Sequence, residues 1–367
     1  MRDSSSRNAG LDLARNLAIF LVIVQHIALL GGLGNEGVGV LHRLQARFLE
    51  ALSQSCVDIF GLLSGYLGAM AAGWKWRRFC GLWLQVWTTG LLVLGFCALV
   101  GGVWPAAFSN ALPCADDWLT AVCPLMRNEY WYFTGYLFVF LLAPVINQFL
   151  FAPGRTRIGF VAAGVLFVLA CGTTVFPGGT GWLPLAKGYS ATWLVCLYIF
   201  GVALRHAEVR LSKVRAGLFL VVAAGGVLLT VGQRVIMASS PAIKELFADE
   251  WTLSAYTSPT VVLTAAALLM GCAHLNPKVP HARVWSVNAA LAQAAFGVYL
   301  LHVQPFFFFH GFKGAFAFLD HAPDAFFGLA VLGTAVGCYL VFQALERTRQ
   351  KLLSFFLSHL KLGIPRP

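Results

Sequence analysis

Long apolar runs broken by short polar turns dominate the chain. Read at the roughly 20 residues that a helix needs to cross a hydrocarbon core, they predict ten membrane-spanning helices. These fall at about 13–33, 52–72, 80–101, 129–150, 157–176, 191–206, 215–236, 254–274, 289–310 and 323–345, the sixth being short. After the first span, Leu41, Leu44 and Phe48 recur at helical spacing among charged residues, which predicts a short amphipathic helix on the outer surface. Gly61 and Gly65 in the second span form a small-xxx-small pair that lets a neighbouring helix approach the backbone. Pro144 predicts a kink in the fourth span. Pro177–Gly181 reads as an outer turn, because a phosphate loop needs a lysine and a strand-to-helix setting.

Composition agrees with this pattern. The chain has 367 residues, 59% hydrophobic and 11% charged, against about 45–50% and 25% in ordinary soluble domains. The predicted fold is all-α, a polytopic transmembrane bundle with residues 1–367 as one domain, no fused soluble domain and no removable signal peptide. A net charge of +11 would suit nucleic acid, but the apolar spans exclude a soluble nucleic-acid binder, and the placement of the charge speaks for orientation. With both termini cytoplasmic, nineteen of the 26 Lys and Arg residues fall on the inner side, as the positive-inside rule requires. Asp116, Asp117, Glu129, Glu245, Asp249 and Glu250 then lie in outer loops. Cys114 and Cys123 share the outer loop Val103–Asn128, where an oxidising compartment would allow a disulfide and a reducing one would leave two thiols.

The candidate chemistry starts in the first span, LDLARNLAIFLVIVQHIALLGG, Leu11–Gly32. The eleven positions from Arg15 to His26 turn about 1100°, roughly 20° from three full turns, so both side chains leave one helical face, about 16 Å apart along the axis. Ionisable groups inside a span are functional candidates by default. An Arg at a span end can equally be a topology anchor, and an intramembrane His a hydrogen-bonded packing residue. Asp58 needs a donor, a cation or water. Trp74–Arg78 is an inner-interface anchor or, through Arg77 and Arg78, a phosphate clamp. Tyr299 and His302 share a face of the ninth span.

Four stretches in order carry a resemblance. LDLARNLAIFLVIVQH resembles the opening of the acyltransferase-3 family of integral membrane O-acyltransferases, whose hallmark is an Arg and a His eleven apart. CVDIFGLLSGYL is similar to the family's second span, YWYFTGYLFVFLLAPVIN to its fourth, and YTSPTVVLTAAALLM with AAFGVYLLH to its last segments. The chain departs from the family at Asn16, where Gly is usual, at Gly61, where Phe is common, and in a basic turn that lacks a further Arg.

The resemblance implies a multi-pass protein of the bacterial inner membrane. It would move an acyl group, most often acetyl, from cytoplasmic acyl-CoA to a hydroxyl of an extracytoplasmic or lipid-linked glycan, with no permanently bound cofactor and no metal. His26 and Arg15 are the catalytic candidates, Arg77 and Arg78 the donor-binding ones. Ser64, Tyr66, Tyr299 and His302 are expected along the cavity wall. Such chemistry needs a base for an alcohol that is un-ionised at neutral pH, and an imidazole suits it. Two readings of another class use the same residues. One is a transporter with Arg15 and His26 as an ion or proton relay, the other a non-catalytic membrane component of a glycan assembly.

Overall fold

The structure, a computed structural model, describes residues 7–33, 39–176, 183–239, 252–275 and 282–359. The predicted turn Pro177–Gly181, the acidic residues Glu245, Asp249 and Glu250, and Lys278 lie outside them. Helices account for the regular structure, with no strand among the described residues. Seven described stretches are long and apolar enough to cross a membrane: Ala9–Leu30, Trp76–Val103, Trp131–Leu150, Thr156–Val175, Ala216–Met237, Arg283–His302 and Phe327–Phe355. The chain is a multi-pass helical membrane protein.

The helices are α1 (Ala9–Leu30), α2 (Val40–Ser53), α3 (Cys56–Gly68), α4 (Trp76–Val103), α5 (Ala115–Val122), α6 (Trp131–Leu150), α7 (Thr156–Val175), α8 (Ala191–Leu211), α9 (Ala216–Ser239), α10 (Pro259–His274), α11 (Ala282–His302) and α12 (Phe327–His359). Two of the ten predicted spans are shorter than a bilayer crossing. The predicted 52–72 span is α3, 13 residues and about 20 Å long at 1.5 Å per residue, and the predicted 254–274 span is the 16-residue α10. The sixth runs longer than expected, 21 residues, because its polar end through Arg205 and Glu208 stays helical.

The chain divides into two compact units. The first takes Met1–Gln25, Gly39–Trp74 and Trp131–Ala289. At its centre α3 lies against α8 at backbone distance. A methyl group at Gly65 would sit 2.0 Å from the carbonyl oxygen of Tyr198, and one at Gly201 would sit 2.1 Å from that of Leu62. Glycine is what allows this approach. The interface also holds a buried polar pair: Trp193 Nε1 on α8 donates to Asp58 Oδ1 at 3.0 Å, and both residues have no exposed surface. This is the donor that the sequence requires for Asp58.

Where α3 ends at Gly68, Asn147 of α6 meets its last carbonyl and one in the turn beyond. Asn147 Nδ2 donates to Gly68 O and Ala71 O at 2.8 and 3.0 Å, and Asn147 Oδ1 accepts from Tyr198 OH at 3.2 Å. Pro144 stays inside α6; in the turn before it, Leu141 O accepts from Trp74 Nε1 at 3.0 Å. Helix α2 is amphipathic as expected: Leu41, Leu44 and Phe48 are exposed while His42, Leu49 and Ala51 are buried. Its Glu50 pairs with Arg234 of α9.

The second unit takes His26–Val38, Lys75–Tyr130 and Ala290–Pro367. Leu92, Phe96 and Leu99 of α4 point outward, the stripe expected of a helix solvated by lipid tails. The segment between α4 and α6 contains the helix α5, with Cys114 and Cys123 as its two caps. Eight helical residues between them correspond to about 12 Å of rise, beyond the roughly 7 Å Cα limit of a disulfide, and both are free thiols. Glu346 of α12, fully buried, accepts two bonds of 2.7 Å from Arg349, one of 2.7 Å from Gln350 and one of 3.2 Å from Gln85 of α4. Gly297 of α11 makes room for it, since a methyl there would meet the Glu346 carboxyl carbon at 2.0 Å.

Candidate functional site

The second unit brings two histidines together that stand 276 positions apart in sequence. His26 lies one turn from the end of α1. The carbonyls that this end leaves without helical partners are met by the segment after α11: Gly314 N donates to Leu30 O at 2.8 Å and Phe316 N to Gly31 O at 2.9 Å. Gly32, at φ +86°, makes the left-handed exit that a side chain would strain. The end of α1 is therefore held against the segment that follows α11.

His302 is the last residue of α11. Gln304 then starts a new short helix by accepting from Phe307 N at 2.9 Å, and a turn of π-helix follows over Phe308–Phe312. This irregular turn carries two rings to the histidines. Phe308 meets His26 edge-on with ring centres 4.9 Å apart, and Phe312 lies 6.0 Å from His302. Phe342 of α12 approaches His302 from another side at 5.7 Å.

Inside this aromatic collar the imidazoles form a chain of polar contacts. His302 Nδ1 lies 2.8 Å from the carbonyl oxygen of Val298, one turn earlier in α11. His302 Nε2 lies 3.2 Å from His26 Nδ1. The two rings differ in access: His302 has no exposed surface, while His26 is partly exposed. His26 is the more accessible of the two rings.

Tyr299 stands one turn before His302, its ring 6.3 Å away, and packs at 6.0 Å on Tyr130, whose hydroxyl donates to Leu300 O at 3.3 Å. Of the expected site residues, His26, Tyr299 and His302 thus come together. Arg77 and Arg78 are exposed at the start of α4 in the same unit. Arg15, Ser64 and Tyr66 belong to the first unit. Arg15 Nη1 lies 3.5 Å from Asp12, a buried carboxylate that Arg7 also contacts at 2.5 Å. Ser64 donates back to Phe60 O at 2.8 Å within α3, and Tyr66 lies under the guanidinium of Arg205, 5.2 Å from its ring centre.

The departure at Asn16 has a structural partner. Asn16 Nδ2 donates to the side chain and the backbone of Asn288 at 2.8 and 2.9 Å, and Asn288 Nδ2 donates to Ala9 O at 2.9 Å. Sequence reading also missed the polar group around Gln25. Its Oε1 accepts from Tyr256 OH at 3.1 Å and from Cys56 Sγ at 3.0 Å, and its Nε2 donates to Gln54 at 2.8 Å. A glutamine amid apolar residues was the available signal, since such a group must find partners when buried.

No curated protein and no solved structure matches the chain. A family model described as an acyltransferase domain matches residues 8–342, which include the Arg15–His26 helix and the segment through Phe342. The chain belongs to the acyltransferase-3 family and is a membrane acyltransferase.

Proposed function

We propose that the protein is an O-acyltransferase of a bacterial inner membrane, moving an acetyl group from cytoplasmic acetyl-CoA to a hydroxyl of an extracytoplasmic or lipid-linked glycan. The observation that carries this reading is the partly exposed His26 imidazole, held by His302 inside an aromatic collar. An alcohol needs a base at the moment of attack, and a positioned imidazole supplies it. His26 takes the hydroxyl proton as the acceptor oxygen bonds to the thioester carbonyl carbon. Collapse of the tetrahedral intermediate breaks the C–S bond, and the CoA thiolate leaves with the proton from His26. Apolar surroundings limit competing hydrolysis of the thioester.

Arg77 and Arg78, exposed at the start of α4, suit the phosphates of the donor, which guanidinium forks bind through two parallel hydrogen bonds. Arg15, which shares its helix with His26, is the second catalytic candidate, and its cation also suits the donor phosphates on the inner side. Tyr299 contributes to the wall beside the histidine pair, and Ser64 and Tyr66 are further wall candidates.

The test is mass spectrometry of the surface polysaccharide from cells that make the intact protein or His26→Ala at equal membrane levels. Loss of an acetyl-sized mass from one sugar in the variant alone is expected, and it names the acceptor. An unchanged acylation pattern would remove His26 as the base.

A further inference from the structure

His302 has a task that its donors and acceptors define. A backbone carbonyl can only accept, so the 2.8 Å contact to Val298 O places a proton on His302 Nδ1. In a neutral imidazole the other nitrogen is then a bare acceptor. That nitrogen, Nε2, faces His26 Nδ1 at 3.2 Å. A hydrogen bond there requires the proton to sit on His26 Nδ1, which leaves the lone pair of His26 on Nε2. Free imidazoles prefer no such arrangement strongly, so the neighbours decide it.

We propose that His302 is a positioning residue that fixes the tautomer and ring orientation of His26, so that His26 Nε2 is the basic atom in acyl transfer. This rests on the reading of His26 as the base. The relay runs from the Val298 carbonyl through His302 to His26, and it does for the base what a carboxylate does in a hydrolase triad. When His26 Nε2 takes the acceptor proton, the ring becomes a double donor whose Nδ1–H already points at His302 Nε2. The positive charge is received by an existing hydrogen bond, with no side chain having to move. His302 has no exposed surface, so it touches neither donor nor acceptor. Phe312 and Phe342, both tilted against its ring, pack on it at 6.0 and 5.7 Å.

A histidine present only to fill the core would serve as well replaced by another ring of its size. The relay demands an acceptor at the position of Nε2, which a glutamine amide oxygen can reach and a phenylalanine cannot supply. The experiment compares His302→Gln and His302→Phe with the intact protein in membranes of cells that carry the native glycan. Label from radioactive acetyl-CoA is followed into the polysaccharide fraction, with His26→Ala as control. For His302→Phe, kcat is expected to fall about 10- to 100-fold, by analogy with loss of the partner that orients a metal-bound histidine, with KM for acetyl-CoA changed less than about 2-fold. His302→Gln is expected to recover most of the loss.

The second readout does not depend on activity. Protein labelled with 15N-histidine in lipid nanodiscs contains nine histidines, and the His26 signals are those missing from His26→Ala. In the intact protein His26 is expected to carry its proton on Nδ1, with Nε2 unprotonated. A proton on Nε2 overturns the proposal whatever the variants do, as does full kcat in His302→Phe. If His26→Ala keeps its activity while the Nδ1–H tautomer is observed, the reading of His26 as base has failed and the pairing has not.

Discussion

The contact between α3 and α8 offers the sharpest quantitative test, because backbone lies against backbone there. In Gly201→Ala the new methyl would stand 2.1 Å from Leu62 O and 2.9 Å from Tyr66 N. Ordinary contact begins near 3.4 Å, so the helices must part by about 1 Å or the turn must distort, and overpacking of this kind costs about 1–3 kcal/mol. The helix-propensity gain of Gly to Ala, about 0.5–1 kcal/mol, offsets part of it. Gly164 of α7, with nothing within 4 Å of the added methyl, has the gain without the clash and serves as the control. The buried thiols of Cys56 on α3 and Cys196 on α8 allow the assay: a thiol-reactive dye follows their exposure as purified protein is heated in detergent. The apparent midpoint of Gly201→Ala is expected to fall about 1–4 °C below that of Gly164→Ala, which should itself be unchanged or raised. Combining Gly65→Ala with Gly201→Ala should cost less than the sum, since the first substitution already parts the helices. Gly201→Ala as stable as Gly164→Ala would refute the close approach.

Three further outcomes follow from particular residues. Substituting Arg77 and Arg78 by alanine is expected to raise KM for acetyl-CoA about tenfold with kcat little changed, the pattern of lost ground-state binding; an unchanged KM would return this turn to a topology anchor. Glu346→Ala leaves Arg349, a half-buried cation, without its bidentate partner and should lower stability by up to about 3 kcal/mol, seen as loss of folded protein on size exclusion, and a monodisperse variant with the wild-type midpoint would contradict the pairing. Cys114 and Cys123 should both react with a maleimide without reductant, read as two added masses on the peptides that carry them; protection of both until reduction would show that the caps of α5 are bridged.

Much of this protein is legible in one dimension, because a lipid-solvated helix must satisfy its own backbone and expose apolar side chains over its whole length. Runs such as Trp76–Val103 and Thr156–Val175 declare themselves by composition, and the glycine spacing of Gly61 and Gly65 announces a close neighbour without saying that it is α8. The Arg15–His26 spacing marks α1 as the candidate functional helix by the cost of placing polar groups in a span. Element ends were less visible. The end of α3 at Gly68 is met by Asn147 arriving from α6, and α5 is held by its own capping contacts within a stretch that reads as loop.

The partners were beyond the sequence altogether. Nothing local to Gln25 names Tyr256, Cys56 and Gln54 as the groups that satisfy it, and nothing around Glu346 says that Gly297 leaves the space it fills. His302 reads from sequence as a cavity-wall candidate one turn beyond Tyr299, with no sign of its partner. Its meaning comes from the fold, which caps the end of α1 with Gly314 and Phe316 and so sets His26 at hydrogen-bond distance from it. Hydrophobic periodicity is a property of one helix in its solvent and can be read from that helix alone. A hydrogen bond between two imidazoles 276 positions apart is a property of packing, and only the tertiary structure decides which nitrogen is left to act.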